Sequence, residues 1–325
     1  MTKGFPLMAP SLNRRAAAVA VVAALAVSAT ACGSEKDDAK SAAEGGKHTV
    51  TTAMGKVEVF DTPKRVVVLD TDALDSALTL GVKPVGAVTA EAGAPMSTYL
   101  PEDKLKGIKP VGLIMEPNLE AIDGLNPDLI ISSKARDEKS YKELSKIAPT
   151  VFTETTGPDW RKNFELHADV LGKKEEAKKV VADYDKHVTE VTEALGGVDK
   201  AAKTEVGFVR FIEGADIRLY MNDTFVGSIL KDLKVGRPAN VDKTGFSLDI
   251  SPELISEGDS DVIFYSTYGD PAKAKETGVT GGKLWKNLDA VKNNKTFKVD
   301  DSLWMLGIGY TGAGQILDEM KKNLS

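Results

Sequence analysis

Glu120-Ala121-Ile122-Asp123-Gly124-Leu125-Asn126-Pro127-Asp128-Leu129-Ile130-Ile131-Ser132-Ser133 has a counterpart later in the chain, Glu253-Leu254-Ile255-Ser256-Glu257-Gly258-Asp259-Ser260-Asp261-Val262-Ile263-Phe264-Tyr265-Ser266. Each stretch reads as a short helix, a turn and a strand, and in each the glutamate stands eight residues before the aspartate. An uninterrupted apolar run suits a strand hidden on both faces, as in a parallel sheet covered by helices. Two such units, 133 positions apart, imply two similar α/β lobes. Two lobes imply a cleft, and clefts between lobes are where small ligands bind.

Working outward, residues 1–31 read as an export signal. Lys3, Arg14 and Arg15 precede an Ala/Val/Leu run from Ala16 to Val27. That run is long enough for a signal sequence and too short for a permanent membrane span. It ends at Ala29-Thr30-Ala31-Cys32-Gly33, which resembles a bacterial lipobox with Ala29 where leucine is usual. Cys32, the single cysteine, is the expected lipidation site; a plain secretory signal is the competing reading, and export by the Sec or the twin-arginine route is left open. Residues 32–48 lack an apolar period and read as a flexible tether. Acyl chains at Cys32 would hold the body to a membrane surface.

The body has no cysteine, so it holds no disulfide or thiolate metal site. The whole chain carries 42 Lys+Arg against 48 Asp+Glu. Without the three basic residues of the signal the balance is 39 against 48, or −9. An acidic body argues against nucleic acid as a partner.

The pattern predicts an N-terminal α/β lobe over 49–157, connecting helices over 158–197 and a C-terminal α/β lobe over 198–325. Buried strands are expected at 65–70, 85–88, 205–210 and 261–265, with a late strand at 296–299. Helices are expected at 72–80, 159–171, 224–233 and 311–323. The longest, 174–195, has Ala177, Val180, Val181, Tyr184, Val188 and Val191 on one side and spans roughly 33 Å. The βα alternation favours mostly parallel sheets with right-handed crossovers.

Arg65 to Leu69, Pro117-Asn118-Leu119-Glu120 through Ile131, the long helix, Pro252-Glu253-Leu254, and the ending from Trp285-Lys286-Asn287-Leu288 through Trp304 to Gly309 together resemble the bacterial iron-siderophore substrate-binding lipoproteins. That group includes ferric hydroxamate, enterobactin and vitamin B12 binding proteins, and the resemblance covers nearly all of the chain after the signal. It implies two Rossmann-like lobes joined by one stiff helix and small opening motions. It also implies delivery of ligand to an ABC transporter permease. An acid on each lobe, here Glu120 and Glu253, would pair with permease arginines; stabilisation of a helix first turn is the competing role.

A ferric siderophore presents a cluster of oxygens with partial negative charge, which guanidinium forks match. Arg210, at the end of a strand, and Arg218 are the first candidates, with an ion pair to Glu213 or Asp216 as the competing reading for Arg210. Trp304, Tyr268, Tyr220 and Trp160 are candidate ring surfaces for the chelator, against core packing. Met115 and Arg136 are candidate rim contacts from the first lobe. A hydroxamate is expected, because few arginines are in view; a corrinoid or another iron chelate is the alternative. His48, His167 and His187 form no cluster suited to zinc, so iron would arrive already chelated, with no direct protein ligand and no cofactor. A surface enzyme is the rival class, but nucleophile elbows and phosphate-binding loops are missing from the sequence. The expected form is a monomer.

Overall fold

The computed structural model describes residues 44–90 and 92–324. The export signal and Cys32 lie outside the described residues. An antiparallel hairpin, β1 (Glu44–Thr52) with β2 (Gly55–Thr62), opens the ordered body. Residues 44–48, expected to belong to a flexible tether, lie in β1. Lys47 pairs with Glu58, and His48 lies between Asp61 and Asp169, at 2.7 and 3.1 Å, so cross-strand and hairpin-to-helix contacts order this segment.

The N-terminal lobe holds β3 (Val66–Val68), β4 (Gly86–Thr89), β5 (Lys109–Leu113), β6 (Glu116–Pro117), β7 (Leu129–Ser133) and β8 (Thr150–Thr153). They lie in the order β6-β5-β4-β3-β7-β8, parallel apart from β6. The strand sequence departs in opposite directions from the β3/β7 pair, which makes it the switch point of a Rossmann-like half. The C-terminal lobe holds β9 (Val206–Ile212), β10 (Ile217–Tyr220), β11 (Ser247–Ile250), β12 (Val262–Tyr268) and β13 (Thr296–Lys298), in the order β11-β10-β9-β12-β13. Here β9, β12 and β13 are parallel, and β10 and β11 form an antiparallel flank.

The repeated segments do the same mechanical job in each lobe. Asp128, just before β7, accepts the backbone N–H groups of Lys64 and Arg65 at 2.8 and 2.9 Å, where β3 begins. Asp261, just before β12, accepts the N–H of Glu205 at 2.8 Å, where β9 begins. Each carboxylate satisfies a strand-entry donor and fixes the register of the central parallel pair. The helical parts differ: Leu119–Gly124 is an α-helix capped by Asn118, whereas Pro252–Gly258 is a 3-10 turn with Leu254 off helical geometry.

The Lys174–Ala194 helix joins the lobes, as expected, and the chain's last helix, Tyr310–Leu324, packs along it and onto the Thr71–Thr79 helix. One continuous apolar core runs from Val66, Val68 and Leu74 through Trp160, Phe164 and Val191 to Phe208, Phe225 and Trp304. A core shared by both lobes resists large hinge motions, because packed interiors deform in discrete steps. Replacing Asp128 with Ala should lower unfolding stability by about 1–3 kcal/mol, since charge-assisted bonds to the β3 entry are lost. Urea denaturation checks this, with Asp128→Asn expected to retain part of the loss.

Candidate functional site

The carboxyl ends of β3, β4, β12 and β13 converge on one cavity between the lobes, of about 250 Å³. Thr71, Ala94 and Tyr99 line it from the N-terminal lobe; Thr267, Tyr268 and Asp301 line it from the other. Ligands of open α/β sheets sit beyond these strand ends.

On the C-terminal side a charged row crosses the sheet; its guanidiniums do not themselves line the cavity, but Asp301 and Tyr268, which touch Arg210, do. Arg210 of β9 and Arg218 of β10 are direct register partners. Asp249 of β11 lies opposite Arg218, and Ser266 of β12 opposite Arg210. Directly opposed like charges disfavour a sheet unless something compensates. Arg210 is compensated by Asp301, which it grips through Nε and Nη2 at 2.7 and 2.6 Å. Ser266 Oγ donates to the same carboxylate at 2.7 Å. Burial alone would push the Arg210 pKa down, and Asp301 together with Tyr220 more than reverses this. Arg218 is less well served: its Nε stands 3.5 Å from Asp249 and makes no hydrogen bond, although the atom is buried. A third guanidinium, Arg237, donates through Nη2 to the Tyr220 carbonyl, and its Nε and Nη1 are buried without a partner. Desolvation pulls its pKa down to about 10, partly offset by Asp242.

The sequence candidates divide. Arg210 and Arg218 are brought together, and Tyr268 lines the cavity with its ring 5.4 Å from the Arg210 guanidinium. Arg210 pairs with Asp301, not with Glu213 or Asp216; Asp301 meets it from the turn after β13 and is distant in sequence. Trp304 is a correction: it is fully buried, stacked on Phe208 and Phe264, with its indole N–H donating to Glu319. The turn after β13 rolls inward there and presents Asp300, Asp301 and Ser302 to the cavity instead. Trp160 is likewise core, packed edge-on against Tyr184, Phe225 and Tyr310 and bonded to Ser228. Tyr220 is buried too; its hydroxyl accepts from Arg210 at 3.3 Å, so it steadies the guanidinium. Met115 is exposed on the β5–β6 turn and is not part of the cavity lining. Arg136 is the counter-ion of fully buried Asp70, at 3.2 Å, at the β3/β7 switch point. Glu120 and Glu253 are both exposed.

Sequence reasoning missed Tyr99, Asp301 and Arg237. The segment from Pro95 to Leu100 has no period of its own, and its length between β4 and β5 was the one available signal. Asp300-Asp301 directly after a strand end was a second.

The floor of the N-terminal side is unusually acidic. Asp70, Asp72 and Asp75 are buried, and desolvation pushes each pKa up to about 6. His167 beside them is driven down to about 4 by burial. Among the described residues no cluster suited to a metal ion occurs.

Residues 66–303 match the periplasmic binding protein family model. The chain belongs to that family. It is 42% identical over 306 residues to the probable siderophore-binding lipoprotein YfiY of Bacillus subtilis, covering 90% of this chain and 92% of that one. It is 33% identical to the Fe(3+)-citrate-binding protein YfmC of the same organism, with 77% of each chain covered. Staphylococcus aureus SirA complexed with staphyloferrin B superposes with a TM-score of 0.75 at 36% identity, over 85% of this chain and 98% of that one. The two-lobed fold with its long joining helix is the fold of these family members.

The buried carboxyls give a pH signature. Each carries a folded pKa above the ordinary carboxylate value, so its stabilising contribution is full below about pH 4 and lost as pH rises through about 6. His167 acts oppositely, losing its contribution as pH falls from 6.5 through about 4, but three carboxyls outweigh one imidazole. The melting temperature should therefore rise between pH 7.5 and 5. Asp72→Asn, which keeps an oxygen for Asn163, should stabilise the protein at pH 7.5 by about 1–3 kcal/mol and flatten the profile. Calorimetry at the two pH values decides this.

Proposed function

We propose that this protein captures a ferric siderophore in the inter-lobe cavity, outside the cytoplasm, and hands it to an ABC importer. The observation that carries this reading is the opposed Arg210–Arg218 pair on the C-terminal sheet, joined to the cavity lining through Asp301 and Tyr268, with the Arg218 Nε making no hydrogen bond. Asp249 answers Arg218 only at 3.5 Å, and a multidentate anion would add negative charge near the pair. YfiY and the SirA complex support the siderophore class.

Planar guanidinium forks pair bidentately with carboxylate, so Arg218, which Asp249 holds only loosely, favours a chelate with free or iron-bound carboxylates over the hydroxamate expected from sequence. The Fe(3+)-citrate-binding relative points the same way. The function is capture and not turnover, the iron is cargo and not a cofactor, and the working form is a monomer. Cys32 would carry the lipid anchor that keeps the protein at the outer face of the cell membrane. Glu120 and Glu253, exposed at equivalent places on the two lobes, would meet basic groups on the permease. Their charge would steer the encounter.

Fluorescence titration should give saturable binding of ferric citrate or ferric staphyloferrin B, and weaker binding of ferrioxamine B. The reverse order would restore the hydroxamate reading, and turnover without binding would support the rival enzyme class. Arg218→Ala should weaken the preferred chelate by about 2 kcal/mol, roughly thirtyfold, with the melting temperature nearly unchanged. Combined Glu120→Ala and Glu253→Ala should leave affinity intact and abolish cellular iron uptake; persistent uptake would remove both acids from the docking face.

A further inference from the structure

After β13 the chain runs along the cavity wall through Asp300–Leu306 and then crosses back to the N-terminal lobe as the Tyr310–Leu324 helix. The landing point is a single side chain. Asp75, on the Thr71–Thr79 helix, is fully buried. Its Oδ1 accepts the Thr311 backbone N–H at 3.2 Å, and its Oδ2 accepts that of Gly312 at 3.1 Å. A carboxylate from one lobe thus caps the first turn of a helix that continues from the other, where unsatisfied N–H groups and the helix dipole both favour negative charge.

The same carboxylate reaches the cavity. The Tyr99 hydroxyl donates to Oδ2 at 3.1 Å, and Tyr99 is part of the cavity lining. Thr79 Oγ1 donates to Oδ1 at 3.1 Å and lies 2.7 Å from Thr311 Oγ1. Gln315 Nε2 closes the loop by donating to the Tyr99 carbonyl at 3.1 Å. The approach is so close that a Cβ on Gly309, where φ is +152°, would overlap the Asp75 carboxylate. Four donors from three separate segments therefore meet on two oxygens. One donor is in the N-terminal cavity wall, and two are in the helix that follows the C-terminal cavity wall.

We propose that Asp75 is the positioning residue of the ligand site: it ties Tyr99 to the start of the final helix and so sets the separation of the two cavity walls. The role rests on the reading of the cavity as the ligand site. Asp75 touches no ligand in this scheme; it holds the walls ready, and a preformed pocket binds more tightly because less ordering accompanies capture. Removing the carboxylate leaves the Thr311 and Gly312 amides without their acceptor and frees Tyr99 from the helix they begin.

The test is Asp75→Ala, with Asp75→Asn, which keeps one acceptor oxygen, as the milder variant, read by residue-resolved amide exchange and by titration with ferric citrate and ferric staphyloferrin B. Ile122→Val, a core change in the N-terminal lobe remote from the cavity, serves as a control for general destabilisation. The expected result is faster exchange at Thr311, Gly312 and Leu100 together, and affinity for the bound probe reduced roughly tenfold or more. Ile122→Val should leave both unchanged. Unaltered exchange at Thr311 and Gly312, or faster exchange there with Leu100 unmoved, would overturn the tie. Lost protection with full affinity would overturn the positioning role. If neither probe binds the unmodified protein, the substrate reading fails, and the tie is then decided by the exchange data alone.

Discussion

Two guanidiniums facing each other across neighbouring strands are the constraint on which the rest of this architecture turns. Arg210 and Arg218 occupy opposed register positions, where side chains stand close enough to repel. The fold answers with carboxylates at the ends of the row, Asp301 for Arg210 and Asp249 for Arg218. The answer is uneven. Arg210 is gripped bidentately and steadied by Tyr220, whereas the buried Arg218 Nε lacks a hydrogen bond. A buried guanidinium answered by a carboxylate only at 3.5 Å favours a further anion, and the aromatic ring of Tyr268, beside Arg210 and in the cavity lining, offers apolar contact for the body of a chelator.

The two cavity walls are built from opposite electrostatic material. The C-terminal wall is backed by guanidiniums, the N-terminal floor by the carboxyls of Asp70, Asp72 and Asp75, whose burial makes ionisation costly. Those acids are not idle: Asp70 caps the Thr71–Thr79 helix and holds Arg136, Asp72 accepts from Asn163, and Asp75 receives the final helix. The stability lost to buried charge is offset by the shared apolar core, which crosses from lobe to lobe through the connecting helices. A molecule arranged this way keeps its cleft nearly preformed and has little freedom to close by a wide hinge.

Much of the fold was legible because it is written in local patterns. Uninterrupted apolar runs marked β3, β7, β9 and β12, and the period of the Lys174–Ala194 helix marked the joining rod. The repeated segment was legible as a repeat, and its aspartates turn out to clip strand entries, a role that depends on chain pairing and is invisible in spacing alone. The site was less legible. Arg210 and Arg218 could be singled out as candidates because strand ends are readable. Trp304 and Trp160 were misplaced because a large ring near a strand end carries no mark of which way it turns, and packing against Phe208, Phe264 and Phe225 decided the matter. Tyr99 and Asp301 sit in segments without a period, where only tertiary contacts assign a task.

The central claim is that an anionic chelate, with its iron already coordinated, rests in the inter-lobe cavity with its charge turned toward the guanidinium row. The most direct measurement is the position of the iron by anomalous diffraction from crystals grown with the ferric chelate that binds. The account predicts a single iron peak inside the cavity between Tyr99 and Tyr268, with chelator oxygens on the Arg218 guanidinium and no protein atom in the iron's coordination shell. A peak outside that cavity, or iron ligated by a side chain of this protein, would contradict it.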